Sequence, residues 1–537
     1  MATKDTDRSD RNSANPLTYV ASRRSVLAVG GAGLGALFLA ACGGSPASSP
    51  SNTKSAGKPK KGGTLRVAIS DADTSDALDP GVIVTINAAM CLNNIFDRLL
   101  KIDDTTLAAT PALATAWTAN ADATEWTIKL REGVKWHDGS DFTSKDVAFT
   151  FKHWLDPKAG SAVNLAVAPY MDASGVSTPD ASTVVLKLNK ANSIFLESVC
   201  TSFGSGILKD GTDFSAATVA GTGPFKLKSW KPGQGWSLVR NDDYWNGAPY
   251  LDGIDATVTP DQGAKLQGVL AGSTDVTDTF PTALWSGLQG RSNVALETIK
   301  AERAWVFTFD QDKAPFNDQR VVEALRLATD RETLLKTAFQ GHGAVAADIA
   351  VTSESPFYPP GLKPEYDPAK AKQLLADAGY PNGVDVELST SSGVAGMSEV
   401  AQAWQQIVKD SGFNIKLKEF PATTYWSKGW LQTAAFQDYW HNAFPSVLFD
   451  YFYRKGAVWN GTHHDDPAVD KLTGEIYATL DADKRVALSQ QALLEARKTY
   501  SYLIPLFVDA GYARASKVQG LTWDRVSSID FSRAWIA

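Results

Sequence analysis

The sequence predicts an α/β fold, and three observations carry that prediction. In the second half, the strand VDVEL (Val384–Leu388) is followed by a helix with Val400, Ala401, Trp404, Ile407 and Val408 on one side, a stop at Gly412, and the strand FNIKLKE (Phe413–Glu419). Strand, helix, strand implies a lobe with parallel pairing. Fully capped helix signals recur: YDPAKAKQLLADAGY offers Asp367 as N-cap, Pro368 at the first helical position and Gly379 just past the end. In the first half, EWTIKLR alternates cleanly, with Trp126, Ile128 and Leu130 on one face and Thr127, Lys129 and Arg131 on the other.

The remaining elements follow in chain order. TLRVAIS (Thr64–Ser70) reads as a first strand. After EWTIKLR, Glu132-Gly133 and Asp138-Gly139 turn the chain. Thr143 with Asp146 then opens a helix whose apolar stripe is Val147, Phe151, Trp154 and Leu155. Asn317 or Asp318 caps a helix burying Val322, Leu325 and Ala328, and Gly341 closes the next one. No period of 20 to 50 residues repeats.

At 537 residues the chain is too long for one core, and length alone suggests about three to four domain-sized units. Hydrophobic content of 44% and charged content of 21% are those of a folded protein. A net charge of -7 argues against a nucleic-acid partner, which requires a basic face.

The N-terminus reads as a targeting signal. A polar stretch precedes Arg23 and Arg24, a short Gly/Ala-rich apolar run spans Ser25 to Ala41, and Leu39-Ala40-Ala41-Cys42 ends it. The paired arginines point to twin-arginine export, with the Sec route as the alternative. Leu-Ala-Ala-Cys resembles the bacterial lipobox, in which cleavage precedes the cysteine and its thiol is acylated. The run falls short of the about 20 apolar residues of a stable membrane span. Residues 43–62 form a Ser/Pro/Gly/Lys-rich tether. Only Cys91 and Cys200 remain beyond Cys42, as a disulfide or as buried free thiols.

Enzyme motifs are missing: no Gly-rich loop ending in Gly-Lys-Ser/Thr, no HExxH and no GxSxG occurs. GTGPF (Gly221–Phe225) reads as architectural, its glycines supplying backbone angles that other residues avoid and its proline fixing the turn. His463-His464-Asp465-Asp466 has the residue types of a metal cluster; the simpler reading is an exposed turn with Asp465 or Asp466, followed by Pro467, capping the next helix, so no metal is expected. His137 lies in a turn block and needs no ligand.

KGGTLRVA, LDP, EWTIKLREGVKWHDGSDFTSKDVAFTF, GTGPFKLKSWKPGQGWSLVRNDDYW, APFNDQRVVEALRLATDRE and YDPAKAKQLLADAGYPNG stand in an order and at spacings that resemble the ABC-transporter solute-binding proteins that include dipeptide-, oligopeptide- and nickel-binding members. The resemblance runs from about residue 61 to the C-terminus. It implies a two-lobed, periplasmic-binding-protein-like fold: lobe I over 63–300 with an inserted subdomain at about 90–200, lobe II over 301–504, and a tail, 505–537, returning to lobe I. The crossings are expected near Lys300–Ala304 and Tyr502–Phe507. It also implies no catalysis and no cofactor, a small-molecule or short-peptide ligand, and ABC permease subunits with a separate ATPase as partners.

In peptide-binding relatives a Trp-x-x-Asp motif supplies an aromatic wall and the carboxylate that holds the ligand's α-ammonium. Here Trp440 matches the tryptophan, but Ala443 occupies the acid's place. Asp438, Asp450, Asp278 and Asp509 are the substitutes considered. The ring-rich segment QDYWHNAFPSVLFDYFY (Gln437–Tyr453) suits a cleft wall, for Tyr439 and Trp440 above all and for Trp430 nearby; Trp404 is expected in the core. The resemblance adds cleft candidates at Thr85 and Ile86 in the loop from Val84, at Asp278 and Phe280 in Thr277–Phe280, and at His441 and Asn442, with Trp305 and Asp509 near the crossings. A peptide-type solute is the primary expectation, an oligosaccharide or other neutral solute the alternative, and a nickel or metal complex the lesser one.

Overall fold

The computed structural model describes residues 18–19, 58–69, 72, 76–83, 85–102, 109–200, 204–214, 219–391, 394, 396–420, 422–441, 448–457, 459–523 and 529–537. Arg23, Arg24, Cys42, Asn442 and Ala443 lie outside the described residues.

Two long strands organise the molecule. Val294–Phe309 and Tyr502–Ala515 pair antiparallel along most of their length, from Val294 opposite Ala515 to Thr308 opposite Tyr502. They sit in the middle of the large sheet. On one side lie Ala435–His441, Val384–Ser391 and Phe413–Phe420; on the other lie Val276–Thr279, Thr64–Ile69, Gly253–Val258, Gly235–Arg240 and Phe225–Lys231. Val384–Ser391 runs parallel to Phe413–Phe420, with helix Met397–Lys409 as the crossover, as the alternation in sequence predicts. On the other flank Thr64–Ile69 is parallel to both Gly253–Val258 and Val276–Thr279. The apolar clusters divide accordingly, one around Trp305, Phe307, Leu388 and Trp404 and another around Leu65, Val67, Ile254 and Trp236.

A separate antiparallel sheet holds Ala114–Ala119, Glu125–Leu130, Thr183–Lys187 and Val176–Asp180, and Thr18–Tyr19 pairs along its Ala114–Ala119 edge. Helix Ser144–Leu155 covers it, opened by a capping box in which the Asp146 carboxylate accepts from the Thr143 amide at 2.7 Å. The other predicted caps form too: Asp318 accepts from the Arg320 amide, Asp367 from that of Lys370 and Asp466 from that of Ala468. Cys91 and Cys200 are free and buried in different clusters, and burial pushes both thiols up.

The GTGPF block is architectural for a reason other than the one expected from sequence. Gly221 and Gly223 do not need unusual dihedrals; a Cβ on either would meet the Ile95 carbonyl oxygen, at 1.8 and 2.6 Å. His137 locks this turn to the WHDG loop. It accepts from the Gly221 amide at Nδ1 (3.1 Å) and donates from Nε2 to the Gly223 carbonyl (3.0 Å), so the ring is neutral and burial lowers its pKa to about 4. Beneath them the buried Asp97 accepts from Thr222, Tyr244 and the Trp245 indole, which ties both ends of the block Gly221–Trp245 to one carboxylate.

Candidate functional site

The two long strands lose register between Ile299 and Arg303, opposite residues 508–510. Ala301 adopts a left-handed φ of 49° there. Asp509 fills the gap: its carboxylate accepts from the Lys300 ammonium at 2.6 Å and from the Ala301 amide at 3.0 Å. The break lies beyond Tyr502–Phe507, because Leu503 and Leu506 are already laddered against Phe307 and Trp305.

From this break the strand AERAWVF presents alternate residues to one face of the sheet. Arg303, Trp305 and Phe307 lie opposite His441, Tyr439 and Gln437. The Arg303 guanidinium sits 5.1 Å from the centre of the Tyr439 ring and donates from Nε to Glu302 at 2.7 Å. Trp305 and Trp426 both meet Tyr439 edge to face, at 6.2 and 5.9 Å. Trp426 continues to Trp430, Trp430 to Trp459, and Trp459 to Tyr451. Trp426 is 41% exposed, so this chain of rings reaches solvent.

Tyr439 and Trp440 are consecutive on a strand and therefore face opposite ways. Tyr439 is half-buried on the ring wall. Trp440 is a core residue, which corrects its expected place on an open wall: it is 3% exposed, stacked on Phe452 at 3.9 Å and edged by Tyr453 and Tyr502. Its indole N–H is satisfied by Asp438 at 3.1 Å. The rings of the segment Gln437–Tyr453 therefore divide between a core and a wall.

Each acid considered as a substitute for the missing carboxylate is engaged within the fold. Asp438 accepts from the indoles of Trp430 and Trp440 and from the Tyr439 amide. Asp278 is buried against the equally buried ammonium of Lys265. Asp450 is held by Tyr170 and Arg454, and burial raises its pKa. Asp509 holds the strand break. None of them offers an open carboxylate for a free ammonium.

The expected cleft residues Thr85, Ile86 and Phe280 pack in other parts of the fold than the ring wall. Thr85 caps helix Ile86–Leu92, accepting from the Ala88 amide and donating to Asp76, while Ile86 packs half-buried on the cluster around Leu65 and Val67. Phe280 is buried with Trp285, Leu266 and Val269. His441 closes the strand Ala435–His441. Trp404 is fully buried, as expected. His463 hydrogen-bonds Asp310 at 2.9 Å and Asp312 lies close by, whereas His464 stacks edge-on with Tyr500. Sequence reasoning passed over Arg303 and Trp426; the period-2 spacing of Arg303 and Trp305 was the available signal for the first.

A family model described as bacterial extracellular solute-binding proteins, family 5, matches residues 108–460. The heme-binding protein A of Haemophilus influenzae is 26% identical over 527 residues, covering 90% of this chain and 94% of that protein. The oligopeptide-binding protein AppA of Bacillus subtilis is 29% identical over 416 residues, covering 71% of this chain and 73% of that one. Among solved structures, the periplasmic binding protein DppA of Helicobacter pylori in complex with the peptide STSA superposes with a TM-score of 0.76 at 23% identity, covering 89% of this chain and 98% of that one, so the folds agree. With more than half of its length matched by the family model, the chain belongs to the bacterial extracellular solute-binding proteins of family 5, which serve ABC transporters by binding solutes and are not enzymes.

Proposed function

We propose that this protein is the lipid-anchored receptor of an ABC importer, cut before Cys42, acylated there and tethered by residues 43–62, and that it captures a short peptide or peptide-like solute between its lobes. The hinge is the register break at Ile299–Arg303 and residues 508–510, where two strands pass between lobe I and lobe II. The observation that carries the ligand class is the ring wall of Tyr439, Trp426 and Trp430 beside Arg303. Rings and strand edges recognise a peptide irrespective of its side chains. With the four candidate acids engaged internally, the solute is held by stacking and by its neutral or acidic groups rather than by a free ammonium.

The magnitudes are compatible. Shifting an open-to-closed ratio from 1:99 to 99:1 takes about 5.5 kcal/mol. At about 25 cal/mol per Å², roughly 220 Å² of apolar burial supplies it. A few rings closing over a di- or tripeptide reach that area.

The test is native mass spectrometry of the full chain extracted in mild detergent without denaturation. A co-purifying peptide-like mass, released unchanged and able to rebind, is expected. Recovery of an oligosaccharide would replace the peptide reading while keeping the receptor role. Chemical turnover of the solute would overturn both.

A further inference from the structure

On the face that carries Arg303, Trp305 and Tyr439, polar side chains are buried without partners. Gln437 is 0% exposed, Thr390 2% and Trp305 1%. Both polar atoms of the Gln437 amide, the Thr390 hydroxyl, the Trp305 indole N–H and the Ser398 hydroxyl have no hydrogen-bond partner among the described residues. Buried polar groups are nearly always paired, so several orphans in one neighbourhood call for a ligand-side explanation.

Their placement is common to all of them. Ser389 pairs in parallel with Phe436, which sets Thr390 beside Gln437 one residue further on each strand. Gln437 opposes Phe307 and Tyr439 opposes Trp305, so Gln437, Thr390 and Trp305 share a face. Helix Met397–Lys409 starts on that same face, burying Met397, Val400 and Trp404 in the same cluster. Its N-cap is Gly396, with φ of 92° and no side-chain cap. A Cβ on Gly396 would come 2.7 Å from the Phe339 ring and 3.2 Å from Cζ2 of Trp305, the ring atom flanking the indole N–H, so both rings border the helix N-terminus. Ser398 stands in the first turn.

We infer that this cradle is the subsite for a carboxylate of the transported solute, resting on the peptide-type reading above. An uncapped helix N-terminus offers amide donors and a positive end. Trp305, Thr390, Ser398 and Gln437 add neutral donors, and Arg303, its charge shared with the buried Glu302, lies two residues along the strand. Glu302, the buried acid beside Arg303, is paired with it, and Glu399, in the first turn, is exposed. The anchor is thus reversed in sign from a carboxylate that grips an ammonium, in keeping with Ala443 in the acid's place.

The experiment uses two synthetic tripeptide pools of the same sequences, N-acetylated, one with free carboxyl termini and one with C-terminal amides, titrated by calorimetry into the full chain stripped of solute. The free-acid pool is expected to bind at least tenfold more tightly. Trp305→Phe, which keeps a ring, and Thr390→Val, which keeps the shape, should each reduce that preference to less than threefold, by weakening binding of the free-acid pool more than that of the amide pool. Should Trp305→Phe not fold, Thr390→Val and Ser398→Ala carry the same test. Equal binding of the two pools overturns the subsite and leaves the receptor reading intact. Binding of neither pool, with rebinding of a co-purified non-peptide solute, overturns the peptide reading and this subsite together.

Discussion

The carboxylate of Asp509 reaches across the break between the two long strands to hold Lys300 at 2.6 Å and the amide of Ala301 at 3.0 Å. These bonds differ in worth. Lys300 is largely exposed, and a solvated ion pair contributes less than about 1 kcal/mol. The Ala301 amide belongs to a residue with a left-handed φ, and Asp509 is what holds it there. Lys300→Ala is therefore expected to change stability by under about 1 kcal/mol, and Asp509→Ala to cost about 1–3 kcal/mol, measured by urea unfolding. Equal costs would assign the hinge to the ion pair instead.

Trp440 and Trp426 should behave in opposite ways. Trp440→Ala removes a ring buried among Phe452, Tyr453 and Tyr502 and is expected to cost about 3–5 kcal/mol. Trp426→Ala, at the exposed end of the ring wall, should leave the unfolding midpoint nearly unchanged and weaken solute binding, read by fluorescence titration of each variant.

Asp278 is a structural partner rather than an ammonium anchor. Lys265→Met would strand its buried charge and cost about 3–5 kcal/mol, while Lys265→Met combined with Asp278→Leu should recover most of that loss. Thermal unfolding of the set measures this, and a double variant as unstable as the single one would count against the pairing.

His137 makes stability depend on acid. Its folded pKa of about 4 lies below the ordinary 6.5, so the folded state excludes a proton that the unfolded chain accepts. Stability from this group is complete above pH 6.5 and is lost as pH falls toward about 4, by up to about 3 kcal/mol. His137→Gln should lower stability at neutral pH and flatten this part of the profile, as followed by denaturant midpoints across the pH range.

Acylation at Cys42 is checked by feeding radiolabelled palmitate to cells making the full chain. Label on the protein that disappears in Cys42→Ser is the expected result; label retained in that variant would place the lipid elsewhere.

Much of the fold was legible because local signals agreed with the global one. Asp318, Asp367 and Asp466 cap the helices their positions announce, and VDVEL and FNIKLKE pair in parallel. The site was less legible for a geometric reason. A run of rings does not reveal which alternate residue faces which side until the strand's orientation is fixed, so Tyr439 and Trp440 were placed together although they point apart. The partners of Asp278 and Asp438 were invisible too: Lys265 lies on a helix and Trp430 beyond the end of another, and only the fold brings them within reach. The glycines of GTGPF were read for their dihedrals when the constraint was the carbonyl of Ile95, a contact distant in sequence.

The central claim is that two lobes joined at Ile299–Arg303 and residues 508–510 close over an unmodified solute. Small-angle X-ray scattering of the full chain in detergent-matched buffer, before and after adding back its own co-purified solute, tests it most directly. The account predicts a smaller radius of gyration with solute bound, reversed when the solute is removed intact. Identical scattering curves with binding shown by calorimetry in the same samples would contradict it.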